Sequence, residues 1–169
     1  MQLEIPLNTV ASYAQKARQQ GVTVVLNAAP IQALPADLLQ SIDILVVNEG
    51  ELASLSGPAG TIAECLERID VPTVVVTLGH RGCCARFEGK FLVQPACAIN
   101  PVDSTGAGDT FCGSLVAALS DGAGMSHALA LAGAAGALAC TRLGAQSSIP
   151  HQAEVAAFLA QQPPKDAAA

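Results

Sequence analysis

The sequence predicts an α/β fold, in which a mainly parallel β-sheet is flanked by helices. Short runs of β-branched residues, continuous enough for burial on both faces, alternate with segments of helical periodicity, and this alternation is typical of parallel sheets. Of the 169 residues, 51% are hydrophobic and only 13% are charged, as in chains that bury a globular core.

The first elements are predicted in chain order from caps, periodicity and glycines. Asn8 is the expected N-cap of a helix that Gly21 ends, and residues 22–27 follow as a buried strand. A proline-containing loop comes next, then a helical turn at 37–40 and a second buried strand at 43–47.

The middle of the chain continues the alternation and then changes. A helix begins at Asn48, an amphipathic helix capped by Thr61 covers 61–69, and residues 73–77 form a third strand. The dipeptide Glu88-Gly89 between "CCARF" and "KFLVQP" indicates a β-hairpin.

The last part of the chain is predicted to be helical. Two Ala-rich helices are expected near 107–120 and 125–141, followed by a helix at about 151–161. We therefore expect one folded portion over 1–162 and a loose tail over 163–169, which begins with two prolines.

Charge and cysteine usage exclude several classes of function. The net charge is −6, and the eight Lys and Arg are scattered, so no basic stripe for nucleic acid is present. The longest stretch without acidic or basic residues, 122–141, is rich in Ala and Gly, which favours a buried helix over a membrane span. The six cysteines have no zinc-ligand spacing and no export signal is visible, so we expect a reducing cytoplasm.

The stretch "DSTGAGDTF" is the best candidate for chemistry. Gly106 and Gly108 let the backbone turn tightly, and a helix that begins there offers unpaired N–H groups and a positive dipole end to an anion. Asp109 would stand beside that anion, where a carboxylate suits a general base for phosphoryl transfer. The alternative, an acid-enriched first helical turn after a glycine loop, is equally consistent with the residues. A P-loop motif is absent from the sequence.

Several segments together resemble the ribokinase (pfkB-type carbohydrate kinase) family. "DSTGAGDTFCG" resembles its second signature, "VVNEGELASLSG" its Asn-x-x-Glu segment, and "VVVTLGHRG" its nucleotide-binding strand and turn. "TRLGAQSSIP", "QLEIPL" and "LNAAPIQALPADLL" are similar to ribokinases in particular. The likeness runs in order from Gln2 to about Leu159.

The resemblance implies a ribokinase-like fold and ATP-dependent phosphorylation of a sugar hydroxyl, with D-ribose as the leading substrate. Asp109 matches the catalytic base, and Gly106, Ala107 and Gly108 match the anion hole. Glu4 matches an acidic residue that contacts the sugar.

The resemblance also implies ATP and Mg²⁺ sites. Asn48 and Glu51 match the segment that organises phosphate, water and Mg²⁺, although the same pair is a capping-box pattern that stabilises a helix by itself. Gly133 matches a position lining the adenine pocket, with close helix packing as the alternative. The residues that match the ATP-binding turn, which could also be an ordinary strand-to-hairpin turn, are Thr77, Leu78, Gly79, His80, Arg81 and Gly82.

A monovalent-cation (K⁺) site is implied as well. The alternative for its aspartate is an Asx-type cap on the turn. The matching residues are Asp103, Thr105, Ala139, Arg142, Gly144 and Ser148.

The likeness covers only the C-terminal portion of the family. We expect the N-terminal strands and the β lid to be missing, with one sheet edge unpaired and a homodimer expected only where that half is present. The alternatives are a non-enzymatic nucleotide- or partner-binding half-domain, a fragment without function alone, and another family sugar kinase such as a fructokinase.

Overall fold

The protein is described by a computed structural model that covers residues 1–57 and 59–162. The expected tail at 163–169 lies outside the described residues. Contacts divide the chain into two compact units, each described by itself below. The first unit comprises Met1–Gly79 and Cys83–Val93, and the second comprises His80–Gly82 and the chain from Gln94 onward.

An open, mixed sheet of five strands confirms the predicted fold class. The strands lie side by side in chain order, with β1, β2 and β3 parallel and β4 antiparallel to β3. Their bounds are Val25–Asn27 (β1), Ile44–Asn48 (β2), Thr73–Thr77 (β3), Cys83–Phe87 (β4) and Lys90–Gln94 (β5). The predicted hairpin joins β4 to β5 through Glu88 and Gly89, which adopt φ of 50° and 70° as a two-residue hairpin turn requires.

The predicted helices are present, with small shifts of their ends. In the first unit they are α1 (Leu7–Gln19), α2 (Ala36–Leu39), α3 (Glu49–Ser56) and α4 (Ile62–Glu67). In the second unit they are α5 (Ala107–Ser120), α6 (Met125–Ala139) and α7 (Gln152–Gln161). Short 3₁₀ turns cover Gly79–Arg81 and Gln146–Ser148. Within the described ranges, none of these helices is both long and apolar enough to cross a membrane.

The core of the first unit explains the continuous apolar runs. All four residues from Ile44 to Val47 are buried, so β2 is covered on both faces. Leu26, Leu45 and Val74 are fully buried and belong to one cluster with side chains from helices α1 to α4. This burial fixes the register of the central strands.

In the second unit, small residues let the helices approach closely. A Cβ placed on Gly136 of α6 would lie 3.2 Å from the carbonyl oxygen of Ala107 and 3.5 Å from the Cβ of Phe111, both on α5. Ala134 and Ala135, on the same helix, pack with Val155 of α7. The Ala-rich composition of α6 therefore serves packing on two neighbours.

Two predictions about the first elements were wrong. Helix α1 begins at Leu7 with Pro6 at the N-cap and no side-chain cap, so Asn8 lies inside the first turn. The first strand has three residues instead of six. The residues at its expected start do not join the sheet, because the N–H of Val22 donates to the carbonyl of Ala17 in the turn that ends α1.

The outer edge of β1 is partly paired, contrary to the expected unpaired edge. The N–H of Asn27 donates to the carbonyl of Met1 at 2.9 Å, and the N–H of Leu3 donates to the carbonyl of Ala29 at 2.9 Å. Leu3 is buried in the core. The first residues of the chain are thus anchored rather than frayed.

Arg86 on β4 closes the end of α4. Its guanidinium donates to the carbonyl oxygens of Leu66, Ile69 and Val71 at 3.0, 2.9 and 2.6 Å. The last carbonyls of a helix lack intrahelical partners, and a cation there also complements the helix dipole. One half-buried side chain therefore joins the sheet to the turn that follows α4.

We predict that Arg86→Lys lowers the free energy of unfolding by about 1–3 kcal/mol, because an ammonium cannot reproduce the planar fork that reaches three carbonyls. Urea unfolding measures this loss. Arg18→Lys is the control, since Arg18 forms an exposed ion pair with Asp43 at 3.3 Å, and such pairs contribute about 1 kcal/mol or less. Equal losses in the two variants would contradict the prediction.

Candidate active site

The start of α5 is built on a left-handed glycine. Gly106 is the N-cap, with φ of 74° and ψ of 2°, a conformation that strains any residue with a Cβ. A Cβ at Gly106 would also lie 3.2 Å from the Cα of Ala145. The backbone geometry therefore requires glycine here, as the sequence indicated.

The N–H groups at this helix start are not equivalent. The N–H of Ala107 donates to the carbonyl of Ser104 at 3.2 Å, so it is engaged within the turn. For the N–H groups of Gly106 and Gly108, the described residues provide no backbone acceptor. A Cβ added at Gly108 would meet nothing within 4 Å, so open space lies above this backbone. Donors without a backbone acceptor, under open space, suit an anion.

Asp109 is the third residue of α5 and is exposed to solvent. It lies in the first helical turn, where the dipole stabilises a negative charge. Thr110 follows, and its hydroxyl is buried with no hydrogen-bond partner among the described residues. The structure thus places an ionisable carboxylate beside the donors of Gly106 and Gly108.

Asp103 holds the turn that precedes α5. Its Oδ1 accepts from the N–H and the hydroxyl of Thr105 at 3.0 and 2.7 Å, and its Oδ2 accepts from the N–H of Gly144 at 3.0 Å. The hydrogen bond from Gly144, followed by those from Thr105, holds the pKa of Asp103 below its ordinary value. The Asx-type cap that the sequence left as one of two alternatives is therefore present, and Asp103 also bonds to a second segment of the chain.

The remaining residues of the implied cation site offer oxygen atoms. The carbonyl of Ala139, at the end of α6, accepts a long hydrogen bond of 3.4 Å from the N–H of Arg142. Ser148 is fully buried, and its hydroxyl donates to the carbonyl of Ala145 at 2.8 Å, which leaves oxygen lone pairs for other contacts. Within residues 1–57 and 59–162, no group of three or more His, Cys, Asp or Glu side chains could hold a metal ion. Carbonyl, hydroxyl and carboxylate oxygens fit a hard cation such as K⁺.

In the first unit, Asn48 and Thr77 come together at the carboxyl ends of neighbouring strands. They are register partners in the parallel pair β2 and β3. Ligands of open α/β sheets bind beyond this edge. The hydroxyl of Thr77 donates to the carbonyl of Val47 at 3.4 Å.

Asn48 and Glu51 form the capping box that the sequence left as one of two alternatives. Asn48 Oδ1 accepts from the N–H of Glu51 at 2.9 Å, and Glu51 Oε2 accepts from the N–H of Asn48 at 2.7 Å. Glu51 is buried, with 6% of its surface exposed. Its Oε1 lies outside the box, so the cap does not use the whole carboxylate.

In the turn that matches the ATP-binding segment, packing against neighbouring backbone is enough to require glycine at one position. Gly82 has φ of 97°, and a Cβ there would lie 2.0 Å from the carbonyl oxygen of Gln94. Gly79 has φ of 57° but nothing within 4 Å. Leu78 is half-buried, while His80 and Arg81 are exposed.

Gly133 and Glu4, two other predicted site residues, have few close contacts or lie at the surface. Gly133 is half-buried, and a Cβ there would meet only the Cγ of Gln94 at 3.7 Å, an ordinary contact. Close helix packing therefore explains Gly136 and not Gly133. Glu4 is exposed and follows the buried Leu3.

Sequence reasoning missed the ion pair between Arg142 and Glu154, whose Nη2 and Oε1 atoms are 2.5 Å apart. Glu154 Oε2 also accepts from the N–H of His151 at 2.8 Å. The spacing His-x-x-Glu before an apolar run could have indicated that Glu154 caps the start of α7. The guanidinium of Arg142, followed by the N–H of His151, holds the pKa of Glu154 below its ordinary value.

Comparison with known proteins gives consistent matches over almost the whole chain. Residues 1–152 match the family described as pfkB family carbohydrate kinase. A ribokinase from Haemophilus influenzae is 40% identical over 166 residues, which cover 94% of this chain and 54% of that protein. The chain spans about half the length of the curated relatives it matches.

Solved structures agree with the sequence matches. A ribokinase from Thermotoga maritima superposes with a TM-score of 0.88 at 36% identity, covering 94% of this chain and 55% of that one. A ribokinase from Arabidopsis thaliana, complexed with ribose and ATP, gives a TM-score of 0.88 at 34% identity, with coverage of 94% and 54%.

We predict that Gly82→Ala lowers the free energy of unfolding by about 3 kcal/mol or more, because the new Cβ would collide with backbone atoms that cannot move aside. Gly79→Ala is the matched control, with positive φ but open space, and it should cost about 1–2 kcal/mol. Urea unfolding of both variants decides the point. A Gly82→Ala protein as stable as the Gly79→Ala protein would contradict the prediction, because it would show that the backbone at Gln94 moves aside at little cost.

Proposed function

Since the chain belongs to the pfkB family of carbohydrate kinases, we propose that it carries the nucleotide-binding and catalytic part of an ATP-dependent sugar kinase. D-ribose is the leading substrate, with ribose 5-phosphate and ADP as products, because the relatives named above are ribokinases and one was solved with ribose and ATP. The observation that supports this most directly is the start of α5, where a left-handed glycine, open space over Gly108 and Asp109 follow one another.

Asp109 is the proposed general base. The sugar hydroxyl gives its proton to the carboxylate while its oxygen forms a bond to the γ-phosphorus. The bond from that phosphorus to the bridging oxygen breaks, and ADP leaves with its electron pair. A carboxylate suits this step because its oxygens can accept a proton and Asp109 is exposed at the helix start.

The anion hole is proposed to use two N–H groups rather than three. The N–H groups of Gly106 and Gly108 face no backbone acceptor among the described residues, whereas that of Ala107 is engaged with Ser104. Together with the positive end of α5, these donors would stabilise the charge on the transferring phosphoryl group. Preorganised backbone donors need no reorientation during the reaction.

In the first unit, Asn48 and Thr77, at the carboxyl ends of β2 and β3, are proposed to contact ATP. Mg²⁺ bound with ATP would neutralise phosphate charge, and Glu51 would hold it through retained water, since its Oε1 is outside the capping box. Gly133 would line the adenine pocket and Glu4 would contact the sugar.

A monovalent cation, K⁺ as the family resemblance implies, is proposed at the segment that Asp103 joins to the turn before α5. The other donors are the carbonyls of Thr105, Ala139, Arg142 and Gly144 and the hydroxyl of Ser148. Bound there, the ion would supply a fixed positive charge. The hydrogen bonds of Asp103 to Thr105 and Gly144 would keep the anion-hole turn in place.

We predict that Asp109→Asn lowers ribose-dependent ADP release by at least about 10²-fold, because the amide cannot accept the proton. Nucleotide affinity should stay similar or rise slightly, since a carboxylate near the γ-phosphate is removed. The assay uses the purified chain with ATP, Mg²⁺ and K⁺, and calorimetry measures nucleotide binding. A large loss of nucleotide binding would mean that Asp109 is structural.

The same assay tests the second candidate, a nucleotide-binding half-domain without catalysis. That candidate is one of the alternatives that the sequence left open. Nucleotide binding by a folded wild-type chain without ribose-dependent turnover would support it. Turnover that needs both ribose and Asp109 would exclude it.

We predict that Gly108→Ala abolishes most turnover while the fold becomes slightly more stable. A methyl group would occupy the open space over the N–H of Gly108, yet Ala in a helix is favoured over Gly by about 1 kcal/mol. Gly113→Ala is the matched control, because Gly113 is also in α5 with nothing within 4 Å. It should gain similar stability and keep its activity.

Thermal unfolding and ADP release are measured on both glycine variants. If the Gly108→Ala and Gly113→Ala proteins keep equal activity, the anion hole is not at Gly108. If Gly108→Ala unfolds more easily than wild type, the glycine serves the backbone and not the ligand.

A further inference from the structure

The ion pair between Arg142 and Glu154 joins two segments of the second unit. The atoms Nη2 and Oε1 are 2.5 Å apart, and both side chains are partly exposed, at 44% and 38%. Glu154 also accepts from the N–H of His151, which precedes α7. The segment after α6 is therefore tied to the start of α7.

That same segment supports the turn before α5. The N–H of Gly144 donates to Asp103 Oδ2 at 3.0 Å, and Gly106 packs with its Cα against Ala145 so tightly that a Cβ would lie 3.2 Å away. The carbonyl of Cys140 accepts from the N–H of Asp103 at 3.1 Å. A continuous path of contacts thus runs from Glu154 to the anion-hole turn.

We propose that Glu154 is a positioning residue that, through Arg142, sets the affinity of the segment 139–148 for a monovalent cation. This inference rests on the cation site of the proposed function. Glu154 neutralises the guanidinium of the residue whose own carbonyl is a proposed ligand, and so removes a repulsive charge from the neighbourhood of the ion. It also fixes the segment that presents the carbonyls.

Because the ion pair is exposed, an effect on the cation site can be distinguished from an effect on folding stability. A solvent-exposed ion pair adds little to folding stability, because water and salt screen it and both side chains lose conformational freedom. If the pair acts on the cation site, its removal should change the dependence on K⁺ far more than it changes unfolding without K⁺. Those two quantities are measured separately.

The experiment is a titration of thermal unfolding with KCl on the full chain, with tetramethylammonium chloride holding the ionic strength constant. Glu154→Gln should raise the K⁺ concentration for half-maximal stabilisation by about two- to tenfold, the usual range for residues that couple to a site. Arg142→Gln removes the repulsive guanidinium together with the ion pair, so it should raise that concentration less than Glu154→Gln does. Arg18→Gln, which breaks the exposed pair with Asp43 in the first unit, is the control and should leave the K⁺ midpoint unchanged.

Two results would overturn the inference. One is a K⁺ midpoint for Glu154→Gln equal to that of wild type, even if its unfolding temperature is lower at every K⁺ concentration. The other is a wild-type chain with no K⁺-specific stabilisation, which removes the cation site as well. Neither result touches the proposed role of Asp109, because ADP release by the Asp109→Asn protein tests that role independently.

Discussion

The carboxylate of Asp103 is the interaction on which the candidate site depends most. Its two oxygens accept three hydrogen bonds, from Thr105 on its own turn and from Gly144 forty-one residues further along the chain. A carboxylate is needed because only an acceptor with two oxygens and several lone pairs can serve donors on both sides at once. This single side chain fixes the turn before α5 against a distant segment, and the geometry of Gly106 and Gly108 follows from that placement.

The glycines of the second unit differ in why they are glycine, and the difference separates fold from function. A Cβ at Gly82 would collide with backbone atoms, and a Cβ at Gly136 would lie in an unusually tight contact, 3.2 Å from the carbonyl oxygen of Ala107. Packing is a sufficient reason for glycine at both positions. Gly106 combines a left-handed backbone with a close neighbour. Gly108 has a right-handed helical conformation and open space, so no feature of the folded chain requires it. A glycine that the fold does not need, at a helix start, is best explained by a ligand that approaches the backbone.

Local signals predicted most of the fold and long-range contacts account for the errors. The capping box at Asn48, the hairpin at Glu88-Gly89 and the strand at 73–77 are present because each is specified by neighbouring residues. The cap expected at Asn8 is absent because Pro6 already sets the helix start. Pairing of Met1 and Leu3 along β1 involves residues more than twenty positions apart, which no local pattern encodes.

At the site, the residue types of the motif were readable from the sequence. The engagement of the Ala107 N–H by Ser104 was not, because it depends on how the turn closes.

Charge explains why the site would rely on backbone donors and cations. The chain has a net charge of −6 and only eight Lys and Arg, yet ATP, its proposed phosphate donor, carries several negative charges. A further carboxylate, Asp109, stands at the helix start where the transferring group would lie. In the proposed mechanism, backbone N–H groups and the dipole of α5 would stabilise the phosphoryl charge, and a cation held near Asp103 would add positive charge within the second unit. A base and an anion can therefore occupy neighbouring positions on one helix turn.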